Sequence, residues 1–296
     1  AAAHAQELPL LVDAAHGVLF GRHPALPPAA LECGADVAVE SVHKRAGALT
    51  QAAWLHLGSE RVSPARLRQA LQLVTTSSPS YLLLASLDAA RKQLALSGRH
   101  LCERLLSLAA EARRALSRLE GVRVLSSAGE GYRLDPTRLV LNFGAVRLTG
   151  YEVARLLKRH GIVAEMADLA NVVFLLNPGH GRREVKALAR AVAAVVARRP
   201  AVRRTRDKIP SFPPPPPLRL SPREAWLAPG QNVPLQTAVG RVSGALVAPS
   251  PPGIPVLLPG EEVTPAVAAY LAELRKEGVS VTGLGEDDQM SLRVVG

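Results

Sequence analysis

Cysteine, aromatic residues and lysine are all scarce in this 296-residue chain, and each shortage closes off a class of protein. Cys33 and Cys102 stand far apart, too few for the disulfide framework of a small secreted domain, and read as plain thiols in a reducing cytoplasm. Phe, Trp and Tyr together make up 3% of the residues, too little to interleave stacking rings with basic side chains. The formal net charge of +11 is nearly all arginine and spread along the chain, dense only at 198–206, so no nucleic-acid partner is expected. No apolar run approaches the ~18–20 residues of a membrane span. Residues 1–8 lack a basic stretch followed by an apolar one, so nothing reads as a secretory signal, and the expected location is cytoplasmic with no membrane contact. His4, His23, His56, His100 and His160 show no metal-ligand spacing, and no metal is expected.

What is present is an apolar fraction of 48%, enough for two or three cores. Residues 8–12 form a short apolar run ending in Asp13, as a buried strand should. The prolines and Gly21 of residues 19–28 demand loop. Residues 36–40 and 52–57 read as two more strands, and residues 80–96 as a helix with leucines at helical spacing. From Arg99 the texture changes. An amphipathic helix through Leu101 to Leu119 stops at Gly121, followed by strands at 122–125 and 138–143 and a helix at 151–160. Strands at 162–165 and 172–176 and a helix at 183–198 complete a compact α+β unit. Residues 201–217 are a linker, basic and then with five prolines in a row, which favours extended geometry. Residues 218–296 form a third piece, with Ser221-Pro222 and Thr264-Pro265 opening helices as N-cap and first helical position.

The chemistry concentrates in Ser41-Val42-His43-Lys44, about thirty residues after Asp13-Ala14-Ala15-His16-Gly17. With only six lysines in the chain, one set among small apolar residues is conspicuous. A lysine just past a strand can condense with an aldehyde, and a carboxylate ending the preceding strand can sit under a ring nitrogen. Serine and histidine beside the lysine can hold a phosphate. Those are the contacts that pyridoxal 5'-phosphate requires. Taken singly, each residue also has an ordinary reading. Asp13 would cap a turn, Lys44 would edge a sheet, and Ser78-Pro79 would start a helix.

Together with Gly34-Ala-Asp, Ala48-Leu-Thr-Gln, Ser78-Pro-Ser-Tyr and Ser86-Leu-Asp-Ala-Ala-Arg91, these segments closely resemble the Orn/Lys/Arg decarboxylases, bacterial enzymes of the aspartate-aminotransferase fold. The resemblance implies an α/β chain. Residues 1–98 would be the C-terminal part of a large domain with a mostly parallel sheet, and 99–200 a small α+β domain. Residues 218–296 would be a C-terminal α/β domain. It implies Lys44 as the cofactor lysine, Asp13 as the partner of the ring nitrogen, Ala15 against the ring face and His16 near the ring oxygen. Ser41 and His43 would bind the phosphate. Ser77 and Ser78 would reach the phosphate of a neighbouring subunit in a homodimer or larger assembly. Glu165 and Asp168 are candidates to face a cationic substrate tail, although surface charge explains them equally.

Departures from the family pattern fall at Ala14 (usually Glu), Val42 (usually Thr), Ser77 (usually Thr) and Ser250, which stands for the Tyr of Tyr-Pro-Pro-Gly-Ile-Pro. By this resemblance the chain opens in mid-domain, without the strands, phosphate loop and ring-stacking residue that precede the aspartate strand. The expected reaction is decarboxylation of arginine, lysine or ornithine to its amine and carbon dioxide. Transamination, lyase chemistry on the same scaffold, or a non-catalytic binding module are the alternatives.

Overall fold

A computed structural model describes residues 2–127, 129–146, 148–198, 211–250, 253–287 and 290–296. The first part runs α1 (Ala2–Ala5), β1 (Leu11–Asp13), β2 (Val37–Ser41), α2 (Val42–Arg45), β3 (Ala53–Leu57), α3 (Pro64–Val74) and α4 (Tyr81–Leu116). Then come β4 (Arg123–Val124), β5 (Arg138–Asn142), α5 (Gly150–Lys158), β6 (Met166–Ala167), β7 (Asn171–Leu175) and α6 (Arg182–Ala197). The last part holds α7 (Pro222–Leu227), β8 (Gly230–Val233), α8 (Leu235–Ala238), β9 (Ala248–Ser250), α9 (Pro265–Lys276), β10 (Ser280–Thr282) and β11 (Leu292–Val295). The chain divides into two compact units, residues 1–141 with 174–194 and residues 142–173 with 195–296.

Strands β1, β2 and β3 form a sheet in that order, and β1 runs parallel to β2 with Asp13 opposite Val39. The third strand departs from the expected parallel sheet. It is antiparallel to β2, and Ser41 pairs with Ala53. The physical reason is length: only residues 42–52 separate the two strands, too few for the crossover that a parallel return requires. The start of β3 therefore lies beside the end of β2.

At three residues, β1 is too short to hold itself, and Asp36 fixes it. This buried carboxylate accepts hydrogen bonds from the Leu10 amide at 2.7 Å, from the Ser59 hydroxyl and, at 2.7 Å, from His4 Nε2. These bonds, led by the Leu10 amide, hold its carboxyl well below the usual range. Asp13, at the far end of β1, inherits that placement.

The two helices expected at 80–96 and 101–119 are one helix of 36 residues, α4. The change of texture at Arg99 does not interrupt it, because Gly98 lies on the buried stripe Ala90, Leu94, Gly98, Cys102, Leu105, which continues unbroken. Arg22 packs beside it, its Cδ 3.6 Å from where a Cβ would stand, an ordinary contact distance. The helix begins at Ser80, whose hydroxyl accepts from the Leu83 amide, two residues later than the Ser78-Pro79 start considered above. α3 was not anticipated.

Strands β4, β5, β7 and β6 form a second sheet in that order, with β6 antiparallel to β7. The strand expected at 162–165 begins later, at Met166. Gly161 takes a positive φ of 73° and the Ile162 amide bonds back to the Leu157 carbonyl, so the helix end consumes those residues. In the last part β9 pairs with β10 and β8 with β11, both antiparallel. Leu235, Val247, Leu257, Val267, Leu271 and Leu292 lead its buried cluster. Ser221 caps α7 in a reciprocal capping box with Glu224, and Thr264 caps α9. The basic run and half of the expected linker lie outside the described residues. Residues 211–217 lie against the C-terminal piece: the Pro217 carbonyl accepts from the Glu262 amide, and Phe212 meets Tyr270 edge-on at 5.8 Å. Among the described residues, no helix is long and apolar enough to cross a membrane.

Candidate active site

A cleft of about 650 Å³ opens within the first unit, lined by Asp13, Ala15, His16, Gly17 and Lys44 on one side and by Arg113, Arg133, Asp135 and Arg138 on another. Asp13 ends β1, and its Oδ1 accepts from the Ala15 amide at 3.0 Å, a turn that swings Ala15 and His16 over the strand end. Lys44 sits on the single turn of α2 that follows β2. Its Nζ lies 3.2 Å from His16 Nε2. Two cations cannot share that contact, so at most one of the pair carries its extra proton while the bond stands. Both side chains are half-buried, while Asp13 is exposed.

The chain thus brings Asp13, Ala15, His16 and Lys44 together, although they come from two segments thirty residues apart. Ser41 and His43 flank the lysine without lining the cleft. The Ser41 amide bonds the Ala15 carbonyl, and its hydroxyl makes no cap bond to α2. His43 Nδ1 lies 2.9 Å from the Ala52 carbonyl, so Nδ1 carries the proton there and the ring is locked against the start of β3. Ser77 and Ser78 are exposed and do not line the cleft. Asp168 accepts bonds from the Ala170 and Asn171 amides and the Asn171 side chain, which commits it to its own turn. Glu165 is exposed, and its amide makes the first bond to the Val173 carbonyl beside β6.

Sequence reading missed the opposite wall. Arg45 is completely buried, and its Nη1 donates to Asp135 Oδ2 at 2.8 Å while Nη2 donates to the Thr137 hydroxyl. Burial raises the Asp135 carboxyl, but the Arg45 charge and the bonds from Arg45 and Thr137 outweigh it and leave the group below its usual range. Arg113 spends its donors on the carbonyls of Leu125, Pro136 and Arg138, and burial lowers its pKa. Arg133 ties down the carbonyls of Pro24 and Leu26. The signal for Arg45 was present: the argument that singled out Lys44, a charge among small apolar residues, applies equally to its neighbour. Among the described residues no cluster of His, Cys, Asp and Glu could hold a metal ion.

Residues 1–131 match the model of the Orn/Lys/Arg decarboxylase major domain, and residues 215–289 that of the Orn/Lys/Arg decarboxylase C-terminal domain. The chain is 37% identical over 298 residues to an arginine decarboxylase of Halalkalibacterium halodurans, covering 99% of this chain and 61% of that protein. It is 36% identical to an arginine decarboxylase of Bacillus subtilis, with the same coverage. The constitutive lysine decarboxylase of Escherichia coli is 23% identical over 76% of this chain and 43% of its own length. The chain therefore spans about three fifths of the length of the arginine decarboxylases it matches. Among solved structures, a lysine decarboxylase of Francisella novicida superposes with a TM-score of 0.82 at 19% identity, over 97% of this chain and 53% of that one.

Proposed function

The chain belongs to the Orn/Lys/Arg decarboxylase family, and from that premise we propose that it works in a pyridoxal phosphate-dependent decarboxylation of a basic amino acid, releasing carbon dioxide and an amine. The observation that carries this reading is the cleft in which Lys44 Nζ meets His16 Nε2 at 3.2 Å with Asp13 and Ala15 in the same lining. That donor set fits the cofactor: an amine for its aldehyde, a carboxylate for its ring nitrogen, a methyl group for its ring face. Bound there, the cofactor supplies an electron sink for the bond that breaks at the substrate's α-carbon.

The chain's own residues would then divide the work. Lys44 supplies the amine that holds the aldehyde and must lose a proton to do so, and His16 is placed to take or share it. Asp13 holds a proton on the ring nitrogen through its negative charge. Ser41 and His43 are the candidate phosphate ligands, and the arginine-rich wall favours an anionic group in the cleft. Ser77 and Ser78, exposed on this chain, would serve the site of a neighbouring subunit in a cytoplasmic homodimer. Glu165 is the candidate to meet the substrate's cationic tail. Residues 1–98, 99–200 and 218–296 are proposed as the large-domain portion, small domain and C-terminal domain, joined before the last by 201–217. Arginine is the first substrate to test, since the named arginine decarboxylases are 33–37% identical to this chain against 23% for the lysine enzyme.

The test is borohydride trapping of the purified chain with pyridoxal phosphate, followed by peptide mass spectrometry and by product analysis with arginine, lysine and ornithine. The expected result is one adduct on Lys44, absent in Lys44→Ala, with amine and carbon dioxide as products. Adduct spread over several lysines would remove the site. A keto acid in place of the amine would replace decarboxylation by transamination.

A further inference from the structure

Helix α2 is a single turn of four residues, too short to be stable by its own hydrogen bonds. Something else must aim Lys44. At its N-terminal end no side chain caps the turn, but the Ser41 amide bonds the Ala15 carbonyl, and the His43 amide and Nδ1 both bond the Ala52 carbonyl, which ties the turn to the start of β3. A second anchor is the residue after the lysine, and it reaches the opposite wall of the cleft. Arg45 points away from solvent entirely and ends on Asp135 and Thr137, ninety residues further along the chain. Asp135 is held in turn, because its Oδ1 accepts from both the amide and the hydroxyl of Thr137. The guanidinium fork fixes direction as well as distance, which a lysine ammonium cannot do. Successive residues of a helical turn point about 100° apart, so locking Arg45 into the wall sets the direction in which Lys44 leaves the backbone. Asp135 also lines the cleft that Lys44 faces.

We propose that Arg45, clamped by Asp135 and Thr137, is the positioning residue of Lys44, coupling the lysine's orientation to the opposite wall of the cleft. The functional meaning rests on Lys44 being the cofactor lysine, but the orientation itself can be measured without the cofactor.

The experiment compares the full chain with Arg45→Lys and Thr137→Val. Acetylation of Lys44 by limiting acetic anhydride is read by mass spectrometry against exposed Lys92 on the same molecule, and pyridoxal phosphate trapping at Lys44 is read in parallel. Thr137→Val removes one hydroxyl of unchanged shape, so it keeps the test alive where Arg45→Lys fails to fold. With Lys44 released from His16, its acetylation relative to Lys92 rises, and cofactor trapping slows by up to about a hundredfold, the cost of a misplacement near 1 Å. An anchor that only stabilises the fold lowers the melting temperature and leaves the Lys44 to Lys92 ratio alone. Folded variants with the wild-type ratio overturn the proposal. If the ratio moves while wild-type Lys44 traps no pyridoxal phosphate, positioning stands and the cofactor reading falls.

Discussion

Replacing Arg45 by methionine isolates the energetics of the buried pair. The thioether stem fills most of the arginine's volume, so the change is chiefly electrical. It leaves Asp135, whose side chain is 8% exposed, with Thr137 as its remaining donor among the described residues. Breaking a buried pair by removing one partner costs about 3–5 kcal/mol, because the remaining charge is desolvated without compensation. The pH dependence gives the mechanism away. In the wild type the Asp135 carboxyl lies below its ordinary range, so its stabilisation is present above the unfolded pKa of about 3.9 and is lost only as pH falls through the lower folded value. In Arg45→Met, burial, the largest influence on this carboxyl, is opposed by the two Thr137 bonds but no longer by the guanidinium, and the carboxyl is expected to rise above its unfolded value. The variant is then weakest at neutral pH and recovers as the carboxyl protonates. Urea denaturation at pH 7 and pH 4.5 should show the deficit shrinking by about 1 kcal/mol or more. Arg45→Met combined with Asp135→Leu should recover most of the loss at pH 7, since an apolar pair of similar volume needs no compensation. A deficit equal at both pH values would refute the reasoning and reduce Arg45 to a space-filling residue.

The sequence disclosed one wall of the cleft and hid the other, for a physical reason. Asp13, Ala15, His16 and Lys44 lie in two short segments whose residue types already match one chemistry, so they are legible without knowing which strands pair. Arg45, Asp135 and Thr137 become a unit only through folding across ninety residues, and nothing local marks them beyond a charge in an apolar run and an Asp-Pro-Thr turn. Helix ends were readable where capping chemistry was applied, at Ser221 and Thr264. α3 carries the same signal in Ser63-Pro64, with the Ser63 hydroxyl accepting from the Arg66 amide, so this helix too was legible from its cap although none of its residues is buried. The antiparallel β3 was inferable from the length of the connection alone. The continuity of α4 was not, because a glycine within a helix weakens the local helix signal, while the buried stripe that carries the helix across Gly98 shows only in the packing.

Two further predictions concern the framework of the second unit. Leu271→Ala, in the fully buried cluster of the C-terminal piece, should cost about 2–5 kcal/mol in denaturant titration, with most of the spread set by how far Val267 and Leu292 collapse into the hole. Gly150→Ala should be as damaging despite adding one carbon. A Cβ there would stand 2.1 Å from the Asn171 carbonyl oxygen and 2.4 Å from that of Asp168, both backbone atoms held by the turn that the Asp168 carboxylate organises. Neither can rotate away as a side chain would, so helix α5 or the turn must shift, at an expected cost of about 3 kcal/mol, the upper end of the usual range for overpacking. Gly150 is the first residue of α5, where helix propensity favours alanine by less than the ~1 kcal/mol of a helix interior, so the two effects still have opposite signs. A thermal melt of Gly150→Ala at or above the wild-type temperature would show that propensity wins and that the close approach of α5 to residues 168–171 is not a rigid contact.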